Sequence, residues 1–333
     1  MTTRPRLTPA IADVRRAVRE MLVTGPVQEL VLVALSGGPD SLALAAATAF
    51  EAPRAGLTAG AVIIDHGLQP GSADVAAAAA RQAEVLGLDP VVVVPVSVGG
   101  AGGPEAAARD ARYAALAQAA AETGASAVLL GHTLDDQAET VLLGLARGSG
   151  ATSLQGMARV TGLYLRPLLG IRRSSTVQFC QDTGLEPWAD PQNTDEAYTR
   201  VRVRSTLLPL LERDLGPGIA EALARTADQL REDSEALDHF ADELVEELAE
   251  HAEAGISLPV KGLAANPPAL RQRIIRLVVS AEFGVSLSRA HTLEVARLVT
   301  EWHGQAAVDL PGIRVKRLGH LLVFSRASTH REP

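Results

Sequence analysis

Ser36-Gly37-Gly38-Pro39-Asp40-Ser41 stands between an apolar run, 30–35, and an apolar helical segment, 42–50. The order strand, glycine-rich turn, helix is a place to hold phosphate. Two glycines let the backbone approach an anion with no Cβ in the way. The first N–H groups of the helix have no intrahelical partner and point at whatever lies before them. Ser36 and Ser41 add hydroxyl donors. Asp40 repels phosphate unless a cation lies between the two, which predicts Mg²⁺ held by Asp40 and phosphate oxygens.

The loop is not a Walker A motif, because no Gly-Lys-Ser/Thr closes it and no lysine precedes Lys261. It also lacks G-x-G-x-x-G. Ser-Gly-Gly-x-Asp-Ser resembles the pyrophosphate loop of the ATP pyrophosphatases. A tight strand-to-helix turn with chance glycines is the rival reading.

Outward from the loop, apolar runs alternate with helical patterns. Residues 9–22 have Ile11, Val14, Val18 and Leu22 at helical spacing, with Thr8 as N-cap. Strands are expected at 57–64, 91–98 and 125–130, with Pro95 marking an edge or bulge. Helices are expected at 73–86, 104–122, 135–147 and 171–183. Continuous apolar strands between helices predict an α/β fold, a parallel sheet with helices on both faces. Ligands of such sheets bind at the carboxyl ends of the strands, where Ser36, Asp65 and His132 all fall. Gly216-Pro217-Gly218 punctuates the chain, so the expected domains are 1–215 and 216–333. The second opens with a long acidic helix, 219–254. Two helices, 268–282 and 288–303, and a β-rich end, 308–324, make it a smaller α+β domain.

Composition agrees with a packed protein: 333 residues, 47% of them hydrophobic. No stretch reaches ~20 uninterrupted apolar residues, so no membrane span is expected. The N-terminus has no apolar h-region, and a cytoplasmic location is expected. One cysteine, Cys180, excludes an internal disulfide framework and any CxxC site. The net charge of −8 hides an uneven distribution. Residues 210–253 carry 14 Asp/Glu against 3 Arg, while 271–326 carry 9 Arg/Lys against 4 Asp/Glu. An acidic chain can thus present a basic face, since screening confines each patch to ~8–10 Å; two plain solvated faces are the alternative.

Gly131-His132-Thr133-Leu134-Asp135-Asp136-Gln137-Ala138-Glu139-Thr140 is the second constellation. Glu139 lies three and four residues after Asp136 and Asp135, on the same helical face. Acids at a helix N-terminus also serve as plain caps. Capping does not call for His132 or Glu139. Arg109 and Arg112 are spaced to clamp phosphate or to pair with surface acids. Asp65-His66 at a strand end suits adenine or Mg²⁺, or a structural histidine. Arg200, Arg202 and Arg204 fan round a helix but share one side of an extended segment. Either way their forks suit phosphate of ATP or RNA.

These blocks, with Asp65-His66-Gly67-Leu68, Ala108-Arg109-x-x-Arg112-Tyr113 and Arg166-Pro167-Leu168-Leu169, resemble the tRNA(Ile)-lysidine synthetases in order over residues 31–211. The resemblance implies a Rossmann-like PP-loop domain followed by a tRNA-contacting domain. It implies adenylation of C2 of the wobble cytidine in a CAU-anticodon isoleucine tRNA, then displacement of AMP by free lysine. ATP and Mg²⁺ are the implied cofactors; a homodimer is left open. Two departures stand out. The family's Arg after His-Gly-Leu is Gln69 here, and its Arg-Asn-x-Ile-Arg reads Arg200-Val201-Arg202-Val203-Arg204. The chain is also short beside three-domain members, so a final domain is expected to be absent.

On this reading Ser36, Gly37, Gly38, Pro39, Asp40 and Ser41 cradle the phosphates. Asp40 and Asp136 hold Mg²⁺, and Asp65 or His66 lies against the nucleoside. His132, Asp135, Asp136 and Glu139 complete the catalytic set, with Asp135 and Glu139 as candidates to hold the lysine ammonium and take its proton. Glu139 as a metal ligand or as a partner of Arg109 or Arg112 is the alternative. Two rival functions remain: tRNA thiolation, which one cysteine fits poorly, and a non-catalytic nucleotide-binding module.

Overall fold

The computed structural model describes residues 7–65, 67, 71–96, 104–148, 150–191, 195–252 and 255–327. His66, Leu68 and Gln69 lie outside the described residues. The backbone divides into two compact units, Met1–Gln229 and Leu230–Pro333. The expected boundary at 215/216 therefore falls inside the first unit.

The first unit opens with α1 (Pro9–Thr24), β1 (Leu30–Ala34), α2 (Pro39–Glu51), β2 (Thr58–Asp65) and α3 (Ser72–Leu86). Thr8 caps α1, its hydroxyl accepting the Ile11 N–H at 3.3 Å. Next come β3 (Val91–Pro95), α4 (Pro104–Thr123), β4 (Ala127–Leu129), α5 (Leu134–Ala146) and the single turn α6 (Ala151–Leu154). The short strands β5 (Val160–Thr161) and β6 (Tyr164–Leu165) precede α7 (Arg173–Thr183).

The sheet order is β3-β2-β1-β4-β6-β5. All pairs are parallel except β5 with β6. Pro95 ends the edge strand β3, where its missing N–H costs no ladder bond. Helices cover both faces, as the apolar runs predict. On β1, Val31 and Val33 pack with residues of α1, α2, α3 and α7, while Leu32 packs with Leu116, Ala119 and Ala120 of α4. The period-2 alternation of a strand puts neighbours on opposite faces.

From β1 the chain builds outward through β2 and β3, then crosses back to place β4 against β1, with Leu32 opposite Val128. That reversal brings the loop after β1 beside the loop after β4. Gly131 makes the approach feasible. A Cβ there would sit 3.1 Å from the Cα and N of Ser41 and 3.2 Å from the Asp40 carbonyl carbon.

Beyond α7, α8 (Thr199–Arg202) runs through a π-turn, Val203–Leu207, into α9 (Leu208–Asp214). The long helix α10 spans Ile219–Leu248. In the first unit its Ala220 and Ala224 pack with Leu134, Ala138, Val203 and Leu208. This explains why the compact unit extends past the Gly-Pro-Gly punctuation.

In the second unit, β7 (Glu250–Ala252) pairs antiparallel with β8 (Gly255–Pro259). The helix expected to reach 254 thus stops at Leu248. The chain turns into a hairpin, and Gly255, at φ 139°, is in a region open to glycine. Then follow α11 (Val260–Ala265), α12 (Pro268–Phe283), α13 (Arg289–Thr300), β9 (Val308–Leu310), β10 (Ile313–Leu318) and β11 (Leu321–Arg326). The sheet β7-β8-β11-β10-β9 is antiparallel throughout. Its core includes Leu258, Phe324, Val315, Ile274 and Val295. Among the described residues, no helix is long and apolar enough to cross a membrane.

Gly131→Ala tests the strand-to-loop contact. The added methyl overpacks against backbone and costs about 1–3 kcal/mol. Calorimetry is expected to show a lowered melting temperature, and a filter assay weakened ATP binding.

Candidate active site

The phosphate loop is tied by its own serines. The Ser41 hydroxyl donates to the Gly38 carbonyl at 3.0 Å and accepts the Ser36 N–H at 3.2 Å; it lies 3.1 Å from the Ser36 hydroxyl. Gly37 turns at φ 82°, and its carbonyl accepts the Trp188 N–H at 2.9 Å. Gly38 caps α2 with no side chain, and Pro39 follows at the first helical position. The free N–H groups of this turn stay open to an anion.

Asp40, in the first turn of α2, faces the first turn of α5. Between them lies Arg173, the first residue of α7. Its Nε donates to Asp40 Oδ2 at 3.0 Å, Nη2 to Asp136 Oδ1 at 2.8 Å and Nη1 to Glu139 Oε1 at 3.3 Å. The Thr176 hydroxyl donates to the other oxygen of Asp40. Asp136 Oδ2 accepts the Thr133 N–H at 2.8 Å and hydroxyl at 2.7 Å, so it is also the third-position acid of the capping box whose N-cap is Thr133.

Glu139 is fully buried at 0% exposure. Arg204 donates to both its oxygens, at 2.7 and 3.1 Å, and Arg200 Nε donates to Oε2 at 3.0 Å. The chain around these arginines is helical, so they share a face at i,i+4. Arg202 points elsewhere, to the Ala197 carbonyl at 2.9 Å and the Thr199 hydroxyl at 3.0 Å. Asp135 is engaged as well: Oδ2 accepts the Arg173 N–H at 2.7 Å, and Oδ1 lies 3.4 Å from Arg172.

His132 leaves β4 with a buried Nδ1 that has no hydrogen-bond partner among the described residues. Burial lowers its pKa to about 4, and Arg166, Arg112 and Arg200 act in the same direction against Asp136. The ring is therefore neutral at pH 7. Burial also lowers Arg112, next to Arg109 and Arg200. Arg109 reaches the Tyr113 hydroxyl at 3.5 Å and stacks on its ring. Asp65 ends β2 and accepts the Gly67 N–H at 3.1 Å.

Burial raises Asp40, opposed by Arg173 and Thr176. Burial works against the Asp136 charge too, but Arg173 and the two Thr133 bonds outweigh it and hold the group at about 2. Burial would lower Arg173; Asp136, Asp40 and Glu139 raise it further than burial lowers it.

A PP-loop domain model matches residues 11–211, and a TilS substrate binding domain model matches 258–321. The chain is 67% identical to a tRNA(Ile)-lysidine synthase of Leifsonia xyli subsp. xyli (strain CTCB07), covering 89% of each chain. It is 57% identical to that of Thermobifida fusca (strain YX), over 92% of this chain and 94% of the relative. The chain belongs to the tRNA(Ile)-lysidine synthase family. Enzymes of this family are PP-loop, ATP-dependent ligases that form a carbon–nitrogen bond, and this chain is one of them. At the level of fold it also resembles the U34-tRNA thiolase NcsA from Methanococcus maripaludis with its [4Fe-4S] cluster. That likeness has a TM-score of 0.55 and 20% identity, over 67% of this chain and 80% of the other.

The expected Mg²⁺ ligands are oxygen donors of the right chemistry. As arranged they do not fit the ion, because the Arg173 guanidinium bridges Asp40 and Asp136. Among the described residues no three His, Cys, Asp or Glu side chains converge as a metal site.

The structure thus gathers Asp40, Asp135, Asp136, Glu139, Arg200 and Arg204, with His132 beside them. It leaves Arg202 outside that cluster. Sequence reasoning missed Arg172, Arg173, Thr133 and Thr176. One signal was present: two arginines at a helix N-terminus oppose the helix dipole and require acids nearby.

A pH titration tests the His132 environment. Between 6.5 and about 4 the unfolded chain holds a proton that the folded one excludes, so stability falls as acid is added through that window. His132→Asn is expected to lose less melting temperature than wild type between about pH 7 and about pH 4.5. Asp136 acts lower: its stabilisation is present above 3.8 and is lost as pH falls toward 2.

Proposed function

We propose that the enzyme converts the wobble cytidine of a CAU-anticodon isoleucine tRNA to lysidine. Family membership supports the substrate, and the phosphate loop beside a charged cluster at the carboxyl ends of β1 and β4 supports the chemistry. The C2 oxygen of cytidine attacks the α-phosphorus of ATP, and pyrophosphate leaves. The lysine ε-amine then attacks C2, AMP leaves, and the amine gives up a proton.

The chain's own groups divide this work. The N–H groups of the α2 turn, with Ser36 and Ser41, bind the departing pyrophosphate. Arg109 and Arg112 offer positive charge to phosphate or tRNA. His132, neutral and with Nδ1 unpartnered among the described residues, is a hydrogen-bonding group and not a counter-ion. Asp65 remains the candidate against the nucleoside. Asp40 and Asp136 are carboxylates for Mg²⁺ only where Arg173 no longer bridges them.

The amine is the demanding step, since a free lysine side chain has a pKa near ~10.4. The chain's lysines, Lys261 and Lys316, both lie in the second unit. That argues against an enzyme-lysine relay. Asp135 and Glu139 are candidates to receive the ammonium, yet both are engaged: Glu139 accepts guanidinium N–H groups through both oxygens, and Asp135 accepts the Arg173 backbone N–H and pairs with Arg172. The ammonium would have to replace a guanidinium there. The geometry favours a different main role for Glu139, as the residue that orients Arg200 and Arg204. Thiolation gains no support from Cys180. Its thiol is buried against the Pro39 carbonyl at 3.5 Å, and burial pushes its pKa to about 12.

Mass spectrometry of a CAU-anticodon tRNA after incubation with ATP, Mg²⁺ and lysine tests the reading. A lysine-bearing cytidine is the expected product; an unmodified or sulfur-substituted base contradicts it. In the same assay Glu139→Gln is expected to lose both adenylation and transfer, because Arg200 and Arg204 lose their shared anchor. Normal adenylation with slow transfer would return Glu139 to the role of proton acceptor.

A further inference from the structure

His132 and Arg166 stand at the carboxyl ends of neighbouring strands. β4 and β6 are parallel with Leu129 opposite Leu165, so Arg166 leaves β6 level with Leu130, two residues before His132. Each carries a buried polar atom that has no hydrogen-bond partner among the described residues: Nδ1 of His132 and Nε of Arg166. Such atoms are uncommon in folded proteins and cost stability unless a ligand or water satisfies them. Arg166 is 6% exposed, and its Nη1 donates to the Ala158 carbonyl at 2.9 Å and the Thr161 hydroxyl at 3.0 Å. Its guanidinium is therefore held in place with a donor left over.

The charge around this pair is uneven. Arg172, Arg173, Arg200 and Arg204 each pair with an Asp or Glu. Among the described residues no carboxylate accepts from Arg166 or from the half-buried Arg112. Arg166, Arg112 and Arg200 all act on the His132 ring, with Asp136 opposing them. Arginine is seldom buried without a counter-charge. Guanidinium charge gathered round a neutral imidazole suits an anion, because an imidazole with its proton on Nδ1 donates just as Arg Nε does.

The place selects the anion. Gly131, next to His132, lies against the backbone of Asp40 and Ser41, so the pair adjoins the phosphate loop on its β4 side. The N–H groups of that loop take the pyrophosphate part of ATP, and the group joined to it is the α-phosphoryl. We propose that Arg166 Nε and His132 Nδ1, with the charge of Arg112 behind them, bind the α-phosphoryl group in ATP, in the adenylated tRNA and in AMP. This rests on the lysidine reading above and adds a second anion site to it. In the first step the C2 oxygen forms its bond to the α-phosphorus, and pyrophosphate leaves with the electron pair of the broken P–O bond. The α-phosphoryl stays on its donors. In the second step the amine nitrogen bonds to C2, the C2–O bond breaks, and its electron pair leaves on AMP while the amine proton passes to solvent. The same donors meet the charge that AMP gains.

AMP and adenosine differ only in this phosphoryl group and are the probes, with pyrophosphate as the control; calorimetry reads their binding to the full chain. Wild type is expected to bind AMP more tightly than adenosine. Arg166→Gln and His132→Ala are each expected to lose on the order of tenfold in AMP affinity. Adenosine and pyrophosphate binding are expected to hold in both. Arg166→Lys keeps the charge without Nε and is expected to fall between wild type and Arg166→Gln. His132→Ala carries the test if the Arg166 variants fail to fold. Equal affinity of wild type for AMP and adenosine overturns the inference. So does an equal loss for both probes in a variant, which marks a structural role alone. A loss of tRNA affinity with AMP binding intact gives the donors to an RNA phosphate and overturns it as well. Each of these results leaves the lysidine reading standing, since that reading fails only on the mass of the tRNA product.

Discussion

One guanidinium holds this site together. Arg173 joins Asp40 at the start of α2 to Asp136 and Glu139 at the start of α5, from its own place at the start of α7. Three helix N-termini thereby meet around one cluster. Acids belong at such ends, where the dipole favours them. Gathered together they repel one another, and a buried carboxylate without a partner costs several kcal/mol. The chain answers Asp40, Asp135, Asp136 and Glu139 with Arg172, Arg173, Arg200 and Arg204. Arg172 extends the pattern to Glu212 and Glu221, near the start of α10. Fold and site are therefore one electrostatic arrangement in this unit.

The sheet supplies the scaffold on which that arrangement is possible. Placing β4 beside β1 puts the phosphate loop and the His132–Glu139 segment at adjacent strand ends. Gly131 sets how close they come. Without that approach Asp40 and Asp136 would lie too far apart for one side chain to bridge. Glu139, sealed under Arg200 and Arg204, then fixes the helix that carries both arginines. The π-turn at Val203–Leu207 lies inside this helix, and such turns often accompany functional sites.

The parts of the molecule written as local patterns were legible in the sequence. Apolar runs gave the parallel strands, Pro95 marked an edge, Thr8 marked a helix start, and the glycine loop and the His132–Glu139 block are two segments that the fold brings side by side in the candidate site. What stayed hidden depends on partners distant along the chain. Arg173 meets Asp40 across 133 positions, and no local rule pairs them. The arginines at 200, 202 and 204 were ambiguous until the backbone became helical, which kept Arg200 and Arg204 and released Arg202. The short strands β5, β6 and β7 and the turn α6 carry too few residues to show a period. Asp136 was open to reading as a capping acid or as a functional acid, and the structure makes it both the acid of the Thr133 capping box and a partner of Arg173.

A double-mutant cycle on Asp40→Asn and Arg173→Gln measures the central interaction directly. Denaturant unfolding of wild type, each single variant and the double variant gives the coupling between the two groups. The account predicts that the double variant is less destabilised than the sum of the singles, by about 1–3 kcal/mol. Additive effects, within about 0.5 kcal/mol, would show that Asp40 and Arg173 do not depend on each other and would contradict it.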